Sequence, residues 1–285
     1  MAIHVKIQAL LISGIFLIFG FAPPLQAYVM TGSRALEQMV QKLGPVYELE
    51  VTQQQIIYGK NFENGRMELN ETVRYRFPDS FRSDINVRNR KRIHVSEKGR
   101  TITVVDGKAQ SGSESRYFYY KDIFLIRSGR LVREMLARYG VDITVSSVGR
   151  FQDKIAFVVG ATFPDESVSQ FWVEKDTFRP IRWLIRERPD DGSAEAFEIR
   201  YHQWREVKDT WYPGRIEFIQ GDDLLREIKV KDIIPDPDFK KDFFNIGRLR
   251  LMYPSTIPEL TSSREPDSVD DIQNKIDELR KMIEQ

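Results

Sequence analysis

Apolar residues recur along this chain at two spacings, and the change from one to the other marks out its elements. Over residues 33–43 (SRALEQMVQKL) Leu36, Met39, Val40 and Leu43 fall three or four apart. That spacing predicts one helical stripe, with Ser33 as a cap and Gly44-Pro45 as a stop. From Tyr47 the spacing drops to two. Tyr47, Leu49 and Val51 alternate with polar positions, and so do Leu69, Val73, Tyr75 and Phe77. Phe81, Ile85 and Val87 follow, then Ile93 and Val95, with turns signalled at Asn64-Gly65, Pro78-Asp79, Lys98-Gly99 and Asp106-Gly107. This predicts a meander of strands with one wet and one dry face.

Helical spacing returns over residues 122–126 (DIFLI) and 130–139 (RLVREMLARY), where Leu131, Met135, Leu136 and Tyr139 share a side and Gly140 ends the run. Strands are then predicted over 142–148, 155–161, 170–175, 180–186, 195–204, 215–220 and 224–233. Their links are too short for helical crossovers, so the sheet is expected to be antiparallel. One face holds Ile181, Trp183 and Ile185, then Phe197, Ile199 and Tyr201, then Ile216 and Phe218, then Ile228 and Val230. The opposite face carries Arg182, Arg186, Glu198, Arg200, Arg215, Glu217, Glu227, Lys229 and Lys231. The fold class expected is mostly β with some α. Its apolar face must be buried, and few helical segments are available to bury it. Such a face either closes as a packed core or leaves an apolar cleft, and an apolar cleft is a ligand site. The candidate lining is Trp183, Ile185, Phe197, Ile199, Tyr201, Phe218 and Ile228, continued by Phe77, Phe81 and Ile85.

The chain ends have a different texture. A cation at Lys6 precedes the apolar run 7–21 (IQALLISGIFLIFGF), and Ala22-Pro23-Pro24-Leu25-Gln26-Ala27 follows. That is the order of a secretory signal cleaved after Ala27, and the run is shorter than the ~20 apolar residues of a membrane span. Residues 253–267 (YPSTIPELTSSREPD) read as a Pro/Ser-rich linker. Residues 268–285 read as a separate amphipathic helix with Ile272, Ile276, Leu279 and Ile283 on one stripe. The organisation expected is a signal over 1–27, one domain over 28–247, a linker over 248–267 and a terminal helix over 268–285.

Composition narrows the chemistry. The 43 Lys and Arg against 42 Asp and Glu leave no basic excess for nucleic-acid binding. The basic stretch 88–92 (RNRKR) reads as a solvated turn. Cysteine is absent, which removes thiol nucleophiles and thiolate metal sites. Beyond the signal the histidines are His94 and His202, both expected on the charged outer face. The sequence holds no His-Glu-x-x-His, glycine-rich phosphate loop or nucleophile elbow. The Asp pairs at 190–191, 222–223 and 270–271 sit in turns or at a helix start. No catalytic residue, metal site or cofactor is indicated, and the chain is not expected to be an enzyme. The positive signal is aromatic, with 18 Phe, 11 Tyr and 4 Trp, many on one strand face.

Residues 75–85 (YRFPDSFRSDI), 95–99 (VSEKG) and 105–108 (VDGK) resemble the opening of periplasmic outer-membrane lipoprotein-sorting carriers of the LolA type. Residues 135–146 (MLARYGVDITVS) are similar to the point where the family's lid helix hands over to its later strands. Residues 175–183 (KDTFRPIRW), 212–213 and 234–239 (IPDPDF) are similar to its closing strands. The resemblance runs from about Arg34 to Ile246. It implies an open, strongly curved antiparallel half-barrel with helices covering the concave face. It also implies a periplasmic carrier, without a cofactor, for acyl chains of lipoproteins or lipids bound for the outer membrane, with a membrane-associated donor or acceptor protein as partner. A regulatory sensor that binds lipid or a partner protein and signals through its C-terminal helix is the alternative. One departure stands out. The family's arginine beside the proline helps hold its lid closed, whereas here Phe77 precedes Pro78 and Arg76 stands one place away, on the opposite face.

Overall fold

The computed structural model describes residues 30–62, 64–87, 90–110, 114–186 and 196–254. The sheet belongs to the unit that begins at Thr31. The expected signal, and the expected helix over 268–285, lie outside the described residues.

Helix α1 (Gly32–Lys42) precedes β1 (Glu48–Tyr58), β2 (Arg66–Arg76), β3 (Ser80–Val87), β4 (Arg90–Glu97), β5 (Arg100–Val105) and β6 (Lys108–Gln110). A 3₁₀ turn (Arg116–Phe118), α2 (Tyr119–Leu125) and α3 (Gly129–Arg138) come next. The chain then forms β7 (Ser146–Phe151), β8 (Lys154–Val159), β9 (Gln170–Glu174), β10 (Pro180–Arg186), β11 (Ala196–Val207), β12 (Thr210–Gln220), β13 (Asp223–Pro235) and α4 (Ile246–Met252). All thirteen strands belong to one sheet in the order β6-β5-β4-β3-β2-β1-β13-β12-β11-β10-β9-β8-β7. The pairings are antiparallel, and the sheet forms an open half-barrel.

This order explains the helical cover. The chain starts at the middle of the sheet, runs outward to β6, and resumes at the opposite edge with β7. The connection between the edges must therefore cross a face. A crossing segment buried against apolar side chains has to satisfy its own backbone groups, and helices do so internally. The 3₁₀ turn, α2 and α3 accordingly place Phe118, Tyr120, Ile123, Phe124, Leu125, Val132, Met135 and Leu136 in one core cluster with the inner face of the sheet. In α3 the buried stripe runs through Val132, whereas Leu131, expected there, is exposed. Helix α1 adds Leu36, Met39 and Leu43 to the same cluster. Its cap is Thr31, not Ser33: the Thr31 Oγ1 accepts from the Arg34 N–H at 3.3 Å. Gly44 ends the turn after α1 with φ at 99°, and a Cβ there would lie 2.3 Å from the Asp209 carbonyl oxygen. The stop is thus fixed both by backbone conformation and by contact with the β11–β12 turn.

The outer face, expected to be wet throughout, is partly covered. Strand β4 is buried on both sides over residues 93–96, and β5 on its outer side. Ile93, Val95, Ile102 and Val104 point outward, under Phe244, Ile246 and Leu249 of the segment that follows β13. His94, expected outside, points inward and is buried. Arginines of β2 and β3 hold that outer segment. The Arg76 Nη2 donates to the carbonyls of Phe239 at 2.9 Å and Lys240 at 3.1 Å, and Arg82 Nη1 donates to that of Phe243 at 3.1 Å. Their guanidiniums lie 4.9 Å from the Phe244 ring and 4.4 Å from the Phe243 ring, respectively. At its end the Ala109 N–H of edge strand β6 donates to the Pro254 carbonyl at 3.1 Å, which covers part of an exposed strand edge. Helix α4 runs across the junction expected at 247/248.

The second half of the sheet follows the expected alternation, with one exception. An irregularity between Pro180 and Arg182 turns Ile181 outward, into a small cluster with Ala156, Val158 and Trp172. Outside, the charged side chains pair: Arg182 with Glu166 and Glu198, Arg215 with Glu217 and Glu227, and His202 with Glu217 at 2.9 Å.

Candidate ligand-binding face

The inner face gathers most of the expected lining. Phe81, Trp183, Ile185, Phe197, Ile199, Tyr201, Phe218 and Ile228 fall in one continuous buried cluster spread over β3 and β10–β13. Register accounts for this: Trp183 pairs with Ile199, Ile185 with Phe197, Ile199 with Phe218 and Ile216 with Ile228. Phe77 is half-buried at its margin, stacked 5.8 Å from Tyr75. Ile85 shares the face but belongs to a separate small cluster with Met67 and Leu69.

Rings of the helical cover meet the sheet aromatics directly. Tyr139 lies 5.1 Å from Trp183, and Phe124 lies 5.9 Å from Tyr201. Tyr117 is 5.7 Å from Phe197 and 5.5 Å from Phe218, and Phe118 is 5.8 Å from Phe81. These edge and offset contacts add about 0.5–1.5 kcal/mol per pair beyond area burial. In this closed arrangement the cover's own side chains fill the face. The Trp183 Nε1 and Tyr201 hydroxyl are buried there without a hydrogen-bond partner.

Polar contacts tie the cover to the sheet, and sequence periodicity does not point to them. The Glu114 carboxylate accepts from Lys121 Nζ at 2.8 Å and lies 2.7 Å from His94 Nε2 on β4. The His94 Nδ1 lies 2.9 Å from the Thr103 hydroxyl on β5, and its ring stacks on Phe118 at 4.3 Å. Lys121, itself buried, also donates to Asp122 at 2.8 Å. Burial opposes the ionised form of Glu114, but the His94 hydrogen bond and the Lys121 ammonium prevail and hold its carboxyl down at about 2. Burial, by contrast, pushes the His94 imidazolium pKa down, which favours the neutral ring.

A second fastening joins the α2–α3 link to the strand end at Phe77. The Arg127 guanidinium sits 3.9 Å from the Phe77 ring centroid, with Nε and Nη1 buried and without hydrogen-bond partners. Burial lowers its pKa to about 10. Arg76, by contrast, faces outward and holds the segment after β13. Where the resemblance expects an arginine on the strand, this chain has an aromatic ring there and the arginine on the cover.

Solved structures share this fold, among them the following three. A LolA superfamily protein from Nitrosomonas europaea is 13% identical, with a TM-score of 0.53, over 77% of this chain and 100% of that one. A DUF1329 family protein from Desulfovibrio piger is 12% identical, with a TM-score of 0.52, over 76% of this chain and 97% of that one. A domain described as an outer membrane lipoprotein-sorting protein, from Vibrio parahaemolyticus, is 13% identical, with a TM-score of 0.51, over 77% and 98%. No model of a protein family matches the chain, and no curated protein matches it significantly. At these identities the likeness is one of fold: the chain has the LolA-type half-barrel.

Proposed function

We propose that this protein is a periplasmic carrier that takes acyl chains of lipoproteins or lipids against the inner face of its half-barrel and passes them towards the outer membrane. The observation that carries the reading is the face itself. Large apolar side chains form a continuous surface across β3 and β10–β13, and what covers them is α1 and a set of short helices on one crossing connection. Helices of seven and ten residues, such as α2 and α3, draw their stability from packing and not from their own hydrogen bonds. A ligand that replaces that packing can therefore displace them. Each methylene of an acyl chain gains about 0.8 kcal/mol on leaving water. A long chain thus offers enough to offset the aromatic contacts the cover gives up. The charged-apolar-small order over residues 1–27 supports export, and a membrane-associated donor or acceptor protein would supply and collect the cargo.

The test is mass spectrometry of lipids extracted from the protein purified from its native compartment without detergent. An acyl-bearing species near one per protein is expected. Protein free of acyl species that also takes up none when mixed with lipid vesicles would contradict the reading.

A further inference from the structure

The inner face is not apolar throughout. Between the main cluster and the small cluster of Met67, Leu69 and Ile85 runs a band of polar side chains. Strand β1 contributes Gln53 and Gln55, β2 Glu71, β3 Ser83, β4 Arg92 and β13 Arg226. Register lines up Gln53, Glu71 and Arg92 across β1 to β4: Gln53 pairs with Glu71, Glu71 with Ile85, and Ile85 with Arg92. Arg226 pairs with Ile57 of β1 on one side and with Phe218 of β12 on the other.

Glu71 is 1% exposed, and its carboxylate accepts from Gln53 Nε2 at 2.6 Å, from Gln55 Nε2 and from Ser83 Oγ. All three donors are neutral. One buried donor of the band, Arg226 Nε, in a residue 8% exposed, has no hydrogen-bond partner; the unpaired Gln53 Oε1 is an acceptor and would not meet a phosphate oxygen. Buried polar groups are rarely left unpaired unless something else supplies the partner. Burial, with Arg226 adding to it and Glu71 and Glu114 opposing it, pulls the Arg92 guanidinium down to about 10.

Aromatic rings of the cover cap the cations. Arg92 lies 5.1 Å from the Phe118 ring and Arg226 lies 5.2 Å from that of Tyr117. Arg116, on the same 3₁₀ turn, lies 4.4 Å from the Phe197 ring and donates to the Gln220 side chain at 2.7 Å. Lifting that turn to admit an acyl chain would take Phe118 and Tyr117 away from Arg92 and Arg226. Two guanidiniums would then face the opened site beside an apolar floor. Guanidinium forks match phosphate oxygens in geometry as well as charge.

We propose that this band is a headgroup site, in which Arg92 and Arg226 bind the phosphate of a phospholipid whose acyl chains lie on the adjoining apolar face. The assignment rests on the carrier reading for the chains and adds to it the class of headgroup. Binding of dioleoylphosphatidic acid, dioleoylglycerol and inorganic phosphate to the purified protein tests it. Arg226→Gln and Arg92→Gln are each expected to weaken phosphatidic acid binding about tenfold or more and to leave dioleoylglycerol binding unchanged. Glu71→Gln removes the band's own carboxylate charge and is expected to tighten phosphatidic acid binding, a gain that a damaged fold would not produce. Equal losses for both lipids, or no response of phosphatidic acid binding to Arg226→Gln and Glu71→Gln, would overturn the assignment. So would inorganic phosphate binding as tightly as the lipid, or dioleoylglycerol binding as well as phosphatidic acid to the unaltered protein. Failure of the unaltered protein to bind either lipid would instead overturn the carrier reading, and this site with it.

Discussion

Trp183→Glu is expected to cost the folded state about 5 kcal/mol or more, enough to abolish cooperative melting in a domain of ordinary stability. Trp183 is fully buried at the centre of the inner face, against Tyr139 at 5.1 Å, Phe171 at 6.0 Å and Tyr119 at 6.4 Å. Deleting a large aromatic from such a site costs about 3–5 kcal/mol. A carboxylate put in its place must also be desolvated among apolar groups, at several kcal/mol more. Tyr47→Glu is the matched control, since Tyr47 is 79% exposed and should melt unchanged. Thermal denaturation followed by circular dichroism reads both. An unchanged melt for Trp183→Glu would mean that the cover stands away from the sheet in solution, with the face already wet.

Lys121→Ala is expected to destabilise the protein by about 3–5 kcal/mol, the cost of breaking a buried ion pair from one side. The Lys121 ammonium stands between Glu114 and Asp122, 2.8 Å from each, in a nearly dry site. Without it two partly buried carboxylates remain close together, one of them also bound to His94. The strain falls on the joint between the cover and strands β4 and β5, so the cover should open more often. Amide exchange in α2 should therefore accelerate, and acyl-lipid uptake should become faster. Adding Asp122→Asn removes one of the stranded charges and should restore part of the lost stability, as read by denaturant titration. A variant as stable as the parent would show that this ion cluster does not hold the cover.

Strand spacing makes most of the sheet legible. Long antiparallel strands with one dry face repeat a two-residue period, and the stretch from Trp183 to Val230 does so almost without a break. Where backbone geometry departs from that period, the pattern misleads. The strand expected over 215–220 begins earlier, at Thr210. The strand continues because Gly214 lets it approach Gln203, whose φ is 53°; a Cβ on Gly214 would sit 2.6 Å from the Gln203 carbonyl oxygen. Residues 142–145, expected as strand, fold instead into a turn in which Asp142 accepts from the Thr144 N–H at 3.0 Å. Ile181 leaves the inner face because of the irregularity beside Pro180.

The polar part of the inner face is less legible, for a different reason. His94 and Arg92 alternate with Ile93 and Val95, and the usual rule puts the apolar pair inside. On β4 both faces are covered, so alternation no longer tells which one faces the main core. The signal that distinguishes them lies elsewhere in the chain. The Phe239, Phe243, Phe244, Ile246 and Leu249 run is an apolar segment that needs a surface, and Ile93 and Val95 provide it. Arg76 can be set aside as a lid contact from its parity alone, but nothing local to Phe77 announces that Arg127 supplies the guanidinium from the other side.

The central claim is that acyl chains occupy the inner face and no other part of the molecule, and two tryptophans make it directly measurable. Trp183 is buried on the inner face, whereas Trp172 is buried on the outer face with Ala156, Val158 and Ile181. Bromine atoms on an acyl chain quench indole fluorescence only near contact. Two proteins are needed, one keeping Trp183 alone and the other keeping Trp172 alone, with the remaining tryptophans replaced by phenylalanine. Titration with a phospholipid brominated along its chains is expected to quench the Trp183 protein strongly and saturably, and to leave the Trp172 protein unchanged. Equal quenching of the two, or none in the Trp183 protein, would contradict the account.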